Sequence, residues 1–139
     1  IAPNNDPGSA SILKVIATLP KNRFRMLPSM RFSHFSELMR NAAAMIGNSS
    51  AGVREAPFLG IPSLDVGTRQ TNRAQADSIC HVTAFDRGAI DTFLSQDWNK
   101  RYDRHNAFGE GSAAERFGAV LQAPSFWAAN LQKAFKDSE

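Results

Sequence analysis

A chain of 139 residues, 42% hydrophobic and 21% charged, is long enough for one domain with a buried core. Its net charge of +3 comes from scattered basic residues interleaved with acids, without a basic, aromatic-studded stripe, which argues against nucleic acid; no apolar run approaches the ~20 residues of a membrane span. The single cysteine, Cys80, cannot close an intrachain disulfide, in keeping with a reducing cytoplasm, and the opening residues do not read as a secretory leader.

The first residues, IAPNNDPG, read as the tail of a strand entering a loop, as though a longer protein preceded Ile1. SASILKVIATL, 9–19, spaces Ile12, Leu13, Ile16 and Leu19 for a helix, with Ser9 as N-cap and Pro20 as stop. RFRML, 23–27, alternates as a short strand does. Helical spacing returns over 32–43 through Phe32, Phe35, Leu38 and Met39. AMIG, 44–47, suits a buried strand, and 50–58 a short helix disturbed by Pro57. Further strands are predicted at 61–66 and 79–82, the second placing Cys80 as a buried thiol between Ile79 and Val82. Asp86 is suited to cap a helix running to about Leu94; 97–110 reads as loop. Two helices, 111–122 and 125–136, follow on either side of Pro124, the second placing Phe126, Trp127, Leu131 and Phe135 roughly on one side. Short apolar strands alternating with helices imply crossover connections. The expected fold is therefore α/β, a mostly parallel sheet with helices on both faces.

In such a sheet ligands bind beyond the carboxyl ends of the strands. IGNSSAGVREAP, 46–57, sits at one such end. Backbone N–H groups at a helix start favour an anion, Gly47 and Gly52 permit close approach, and Ser49 and Ser50 add hydroxyl donors, so the chemistry suggested is a phosphate or diphosphate site. Glu55 is not the acid of a capping box, because Val53 and Gly52 stand three residues after Ser50 and Ser49. A carboxylate one turn further in could accept two hydrogen bonds from a ribose diol; the competing reading is a solvated Glu55 beside Arg54. Serine capping alone would also account for Ser49 or Ser50. Arg69 in VGTRQTNR could neutralise a diphosphate, or be an ordinary loop arginine. Asn4, Asn5 and Asp6 in PNNDPGS could cap turns, or line the same edge.

GNSSAGVREAPFLGIPSLDVGTRQ, with PNNDPGS and FRMLPSMRFSHFSELM upstream, resembles the UDP-N-acetylglucosamine 2-epimerases, in particular the hydrolysing branch. The resemblance covers roughly residues 1–82, with a weaker likeness at FGEGSAAERF. The non-hydrolysing branch usually carries an SGGxQEE-like loop and lacks the GTRQ ending. The resemblance implies a Rossmann-like parallel sheet with helices on both faces, one half of a glycosyltransferase-B-type two-domain fold, with 1–139 as the carboxyl-terminal, nucleotide-holding domain of a longer chain. By the same resemblance Ser49 and Ser50 would meet the diphosphate, Glu55 the ribose and Arg69 the phosphates, with Gly52 counted among the substrate-binding residues for the close approach it permits. Asn4 would line the cleft and Phe32 would neighbour the uracil.

The reaction implied is elimination of UDP across C1 and C2 of the sugar, then hydration of the glycal to N-acetylmannosamine, within sialic acid or related nonulosonate synthesis. The family's acid–base carboxylates and an important histidine lie in the amino-terminal half, so no catalytic residue is expected here, and His34, His81 and His105 do not match that histidine. The 139 residues alone should bind UDP weakly and catalyse nothing. The partners implied are UDP or a UDP-sugar and an amino-terminal domain; a homo-oligomer is compatible with the sequence, and no metal or cofactor is implied. The alternatives are the donor-binding domain of a glycosyltransferase on the same fold and a non-catalytic nucleotide-sugar-binding module.

Overall fold

The computed structural model describes residues 1–128 and 132. The chain divides into two units, Ile1–His105 and Asn106–Glu139. The first contains a three-stranded parallel sheet: β1 (Met45–Gly47), β2 (Ser63–Val66) and β3 (Ile79–Val82), in the order β1-β2-β3. Register pairs Gly47 with Asp65 and Asp65 with His81, so these three residues form one row across the sheet. The three central strands thus fall within the apolar runs expected from sequence, and the fold is α/β and Rossmann-like as anticipated.

Alternation of side chains along the strands sends the two apolar sets to opposite faces. Met45 joins Met39, Ala51, Ala56 and Ile61, a cluster closed by α2 (Phe32–Arg40) and α3 (Glu55–Phe58). Leu64, Val66, Cys80 and Val82 pack with Phe93, Ala89 and Ile90, from α4 (Arg87–Thr92) and the π-helical turn Phe93–Asp97 that continues it. Asp86 caps α4 as expected, accepting from the Ala89 N–H at 3.0 Å. Cys80 is half-buried rather than buried, because β3 is an edge strand.

Several expectations are corrected. RFRML is not a strand, and neither are residues 1–4; a single bond, Ala2 N–H to the Leu27 carbonyl at 2.8 Å, joins them. Pro3 and Pro28 lack the N–H groups that would extend that pairing into a ladder. The helix α1 (Ser9–Ala17) starts after Gly8, not at a Ser9 cap; the Ser9 hydroxyl donates backwards to the carbonyls of Asn4 and Asp6. Its apolar residues are not core: Ile12, Leu13 and Val15 remain exposed, and Leu13 and Ile16 line a groove of about 460 Å³ with Ile1, Phe24 and Met26. The link from β2 to β3, residues 67–78, contains no helix. The 50–58 segment is two pieces: a 3-10 turn, Ser50–Gly52, and the four-residue α3.

In the second unit, α5 (Ala113–Gln122) is followed by α6 (Pro124–Trp127), with Pro124 as the first residue of α6. The Trp127 indole N–H donates to the Leu121 carbonyl at 2.7 Å, and Phe126 meets Trp127 edge to face at 5.1 Å. Leu131 and Phe135 lie outside the described residues.

Candidate functional site

β1 ends at Gly47, whose φ of +151° is a conformation that L side chains rarely adopt, and a side chain there would meet open space. Glycine is thus needed for the backbone's turn, not for room. Asn48 and Ser49 are exposed, and Ser49 is the N-cap of the 3-10 turn, its hydroxyl accepting from the Ala51 N–H at a long 3.4 Å. The amides of Gly52, Val53 and Arg54 are spent inside the turn, on the carbonyls of Ser49 and Ser50. The N–H groups left to face an anion are therefore those at the turn's entrance, not a helical row.

Gly52 behaves differently from Gly47. It is buried, and a Cβ there would stand 2.7 Å from the Ser63 hydroxyl, closer than a methyl carbon comes to any neighbour unless something shifts. The room that glycine leaves is used by β2, so Gly52 acts by letting the turn lie flat on the sheet. Val53 and Ala56, both fully buried, hold the turn and α3 down.

Glu55 opens α3 and is half-buried. Its Oε2 is covered by protein and has no hydrogen-bond partner among the described residues. A carboxylate oxygen held out of water without a donor is costly, so acceptor capacity is stored here.

The polar loops meet. The Arg69 guanidinium lies 3.6 Å from the Asp6 carboxylate, joining the loop after β2 to the PNND segment. Gln70, next in sequence, turns inward: it is 1% exposed and its Nε2 donates to the Asn48 carbonyl at 2.8 Å, joining the same loop to the one after β1. Asn4, Ser49, Ser50, Gly52, Glu55 and Arg69 thus belong to segments tied around one edge of the sheet. Phe32 stands apart at the first residue of α2, 67% exposed, and no described hydrogen bond or ring contact joins it to these loops.

Sequence reasoning missed two features. Gln70 was hidden beside the more conspicuous Arg69. Asp65, 2% exposed in the middle of β2, places Oδ2 2.8 Å from His81 Nδ1, while its Oδ1 is buried without a partner. An acid inside the apolar run IPSLDV was the signal. Among the described residues no group of three His, Cys, Asp or Glu is placed to hold a metal, and no helix is long and apolar enough to cross a membrane.

A parallel α/β sheet whose glycine-containing polar loops gather at its carboxyl edge is the Rossmann-like class of fold. The chain belongs to the UDP-N-acetylglucosamine 2-epimerase family, whose sequence model matches residues 1–122. It is 39% identical to the UDP-N-acetylglucosamine 2-epimerase of Neisseria meningitidis serogroup B, over 99% of this chain and 37% of that protein. It is 31% identical to the UDP-N,N'-diacetylbacillosamine 2-epimerase (hydrolyzing) of Legionella pneumophila, over 88% of this chain and 33% of that one. A polysialic acid biosynthesis protein P7 of Escherichia coli matches at 32% over 59% of this chain and 21% of its own length. The chain therefore spans about a third of the length of the first two of these relatives.

Proposed function

We propose that this chain is the UDP-binding, carboxyl-terminal half of a hydrolysing UDP-N-acetylglucosamine 2-epimerase, with a two-domain glycosyltransferase-B-type architecture and a cytoplasmic location. The observation that carries the reading is the meeting of three polar segments at one sheet edge, through Arg69–Asp6 and Gln70–Asn48, around a turn that offers hydroxyls and backbone donors. In this reading Ser49, Ser50 and the entrance of the turn face the diphosphate, with Gly52 setting the turn on the sheet. Arg69 exchanges part of its exposed pairing with Asp6 for the phosphates. The unspent Glu55 carboxylate accepts from the ribose hydroxyls, Asn4 lines the cleft, and Phe32 neighbours the base. The relatives from Neisseria and Legionella support the substrate class, and the second of them supports hydrolysis.

The chemistry proposed is elimination then hydration. A base removes the C2 proton, the C1–O bond breaks, and UDP departs with the bonding electron pair, leaving a glycal. Water then adds a hydroxyl at C1 and a proton at C2 from the opposite face, giving N-acetylmannosamine. This domain's part is to steady the departing diphosphate, whose negative charge grows as the bond breaks. The acid–base groups belong to the partner half, so no catalytic residue is assigned here.

Incubating the longest chain that the reading frame encodes with UDP-N-acetylglucosamine, without an acceptor sugar, tests this. Equimolar UDP and free N-acetylmannosamine are expected. Turnover that requires an acceptor would instead identify a glycosyltransferase, and binding without turnover a sugar-nucleotide-binding module.

A further inference from the structure

The loop after β1 owes its orientation to a residue outside it. Gln70 reaches 22 positions back along the sequence and donates from Nε2 to the Asn48 carbonyl at 2.8 Å. The partner is a carbonyl, so the amide nitrogen must be the atom facing it. Every peptide bond in the described chain is trans. In a trans peptide the C=O of one residue and the N–H of the next point in opposite directions. Gripping the Asn48 carbonyl from inside therefore turns the Ser49 N–H outward, at the mouth where the loops meet. Among the described residues neither that N–H nor the Ser50 N–H after it makes a hydrogen bond, whereas the amides of Ala51, Gly52, Val53 and Arg54 are all engaged within the turn.

Gln70 is otherwise poorly suited to its place. Its Oε1 is buried and has no partner. An amide buried with half of its hydrogen-bonding capacity unmet is worse, as packing alone, than an apolar chain of the same length. Space-filling thus does not account for glutamine, and the bond to Asn48 does. The bond is part-buried and runs from a buried amide to an exposed loop residue, so it joins two loops rather than two elements of the apolar core.

We infer that Gln70 is a positioning residue for diphosphate: it fixes the Asn48–Ser49 peptide so that the Ser49 N–H stands ready as a backbone donor to a nucleoside diphosphate. The inference rests on the nucleotide-binding reading above and adds to it the group that aims the donor. Arg69 supplies charge from the same loop, and Gln70 supplies geometry.

The test compares the unmodified protein with Gln70→Met, which keeps the length and loses the donor, on the longest encoded chain. UDP affinity should fall roughly tenfold, the scale of one well-aimed hydrogen bond to a charged group, while affinity for uridine, which has no phosphate, stays within about twofold. The melting temperature should not fall. In the unmodified protein the Ser49 amide proton should move downfield when UDP is added, and in Gln70→Met it should not. Unchanged UDP affinity in a folded Gln70→Met protein would overturn the inference, as would a drop in stability with unchanged affinity, the mark of a mere brace. Should the variant fail to fold, the unmodified protein still decides: other loop amides shifting with UDP while Ser49 does not would overturn it. If UDP does not bind the unmodified protein at all, the nucleotide reading itself fails and this inference goes with it; if UDP binds and only the Ser49 or Gln70 results fail, the nucleotide reading stands.

Discussion

Glu55 and Cys80 show how single residues here separate binding from stability. The Glu55 Oε2 gains nothing from the fold, being covered and unpartnered, so Glu55→Gln should leave the melting temperature level or raise it. If the ribose diol is its partner, UDP affinity should fall about tenfold or more, as expected for losing hydrogen bonds to a charged acceptor. Calorimetric titration beside a thermal melt checks both; unchanged affinity would remove Glu55 from the site. Cys80 bears only on stability. Burial chiefly, then the nearby Asp97 and Asp86 carboxylates, push its thiol above its ordinary value of 9.0. Burial, with Asp97 beside it, likewise raises Tyr102. Each group therefore holds its proton longer folded than unfolded. The stability they contribute is whole below the ordinary thiol range and is lost as pH rises through it toward the raised values. Urea midpoints from pH 7 to 11 should decline first near the thiol range, and Cys80→Ala should abolish that first decline. Residues of this kind were unevenly legible in the sequence. The serines, Glu55 and Arg69 stood out as candidates by their place at strand ends, although helix capping, a solvated acid and an ordinary loop arginine were competing readings of the same residues. Gln70 could not, because its burial depends on a contact 22 residues away that no local pattern encodes.

Among the elements, the turn between β1 and α3 is the one on which the site depends, and its conformation is dictated by what it lies on. Gly52 packs against Ser63 of β2 with no space for a methyl group. Gly52→Ala should cost about 1–3 kcal/mol as overpacking in the midpoint of chemical denaturation, and should weaken UDP binding by displacing the turn. A neutral substitution would mean that the turn is free to lift off the sheet. Leu64→Ala, by contrast, opens the cluster with Val82 and Phe93 and should cost about 2–5 kcal/mol. The three strands were readable because short apolar runs bounded by Gly, Pro and polar residues admit little else. The continuous 50–58 helix was not borne out: Gly52 and Pro57 within nine residues leave a 3-10 turn and a single α turn. The strand expected at RFRML finds no strand partner among the described residues, where the only backbone bond joining it to the opening residues runs from Ala2 to Leu27.

For the molecule as a whole, the division of labour proposed above separates gripping the leaving group from moving protons. The chain spans about a third of the length of its Neisseria and Legionella relatives, and the diphosphate site proposed for it includes no assigned acid–base pair. The 139-residue chain by itself should therefore bind UDP weakly and release no N-acetylmannosamine, while a chain of the relatives' length should do both; product formation by the short chain would refute that division. In the proposed reading UDP is held by its diphosphate where the chain leaves β1 and turns at Ser49 and Ser50. The decisive experiment is a titration of isotope-labelled protein with UDP to millimolar concentration. Backbone amide shifts concentrated at residues 47–55 and 67–70, with uridine alone moving them far less, are the predicted result; no shift in those two segments, or shifts confined to residues elsewhere, would contradict it.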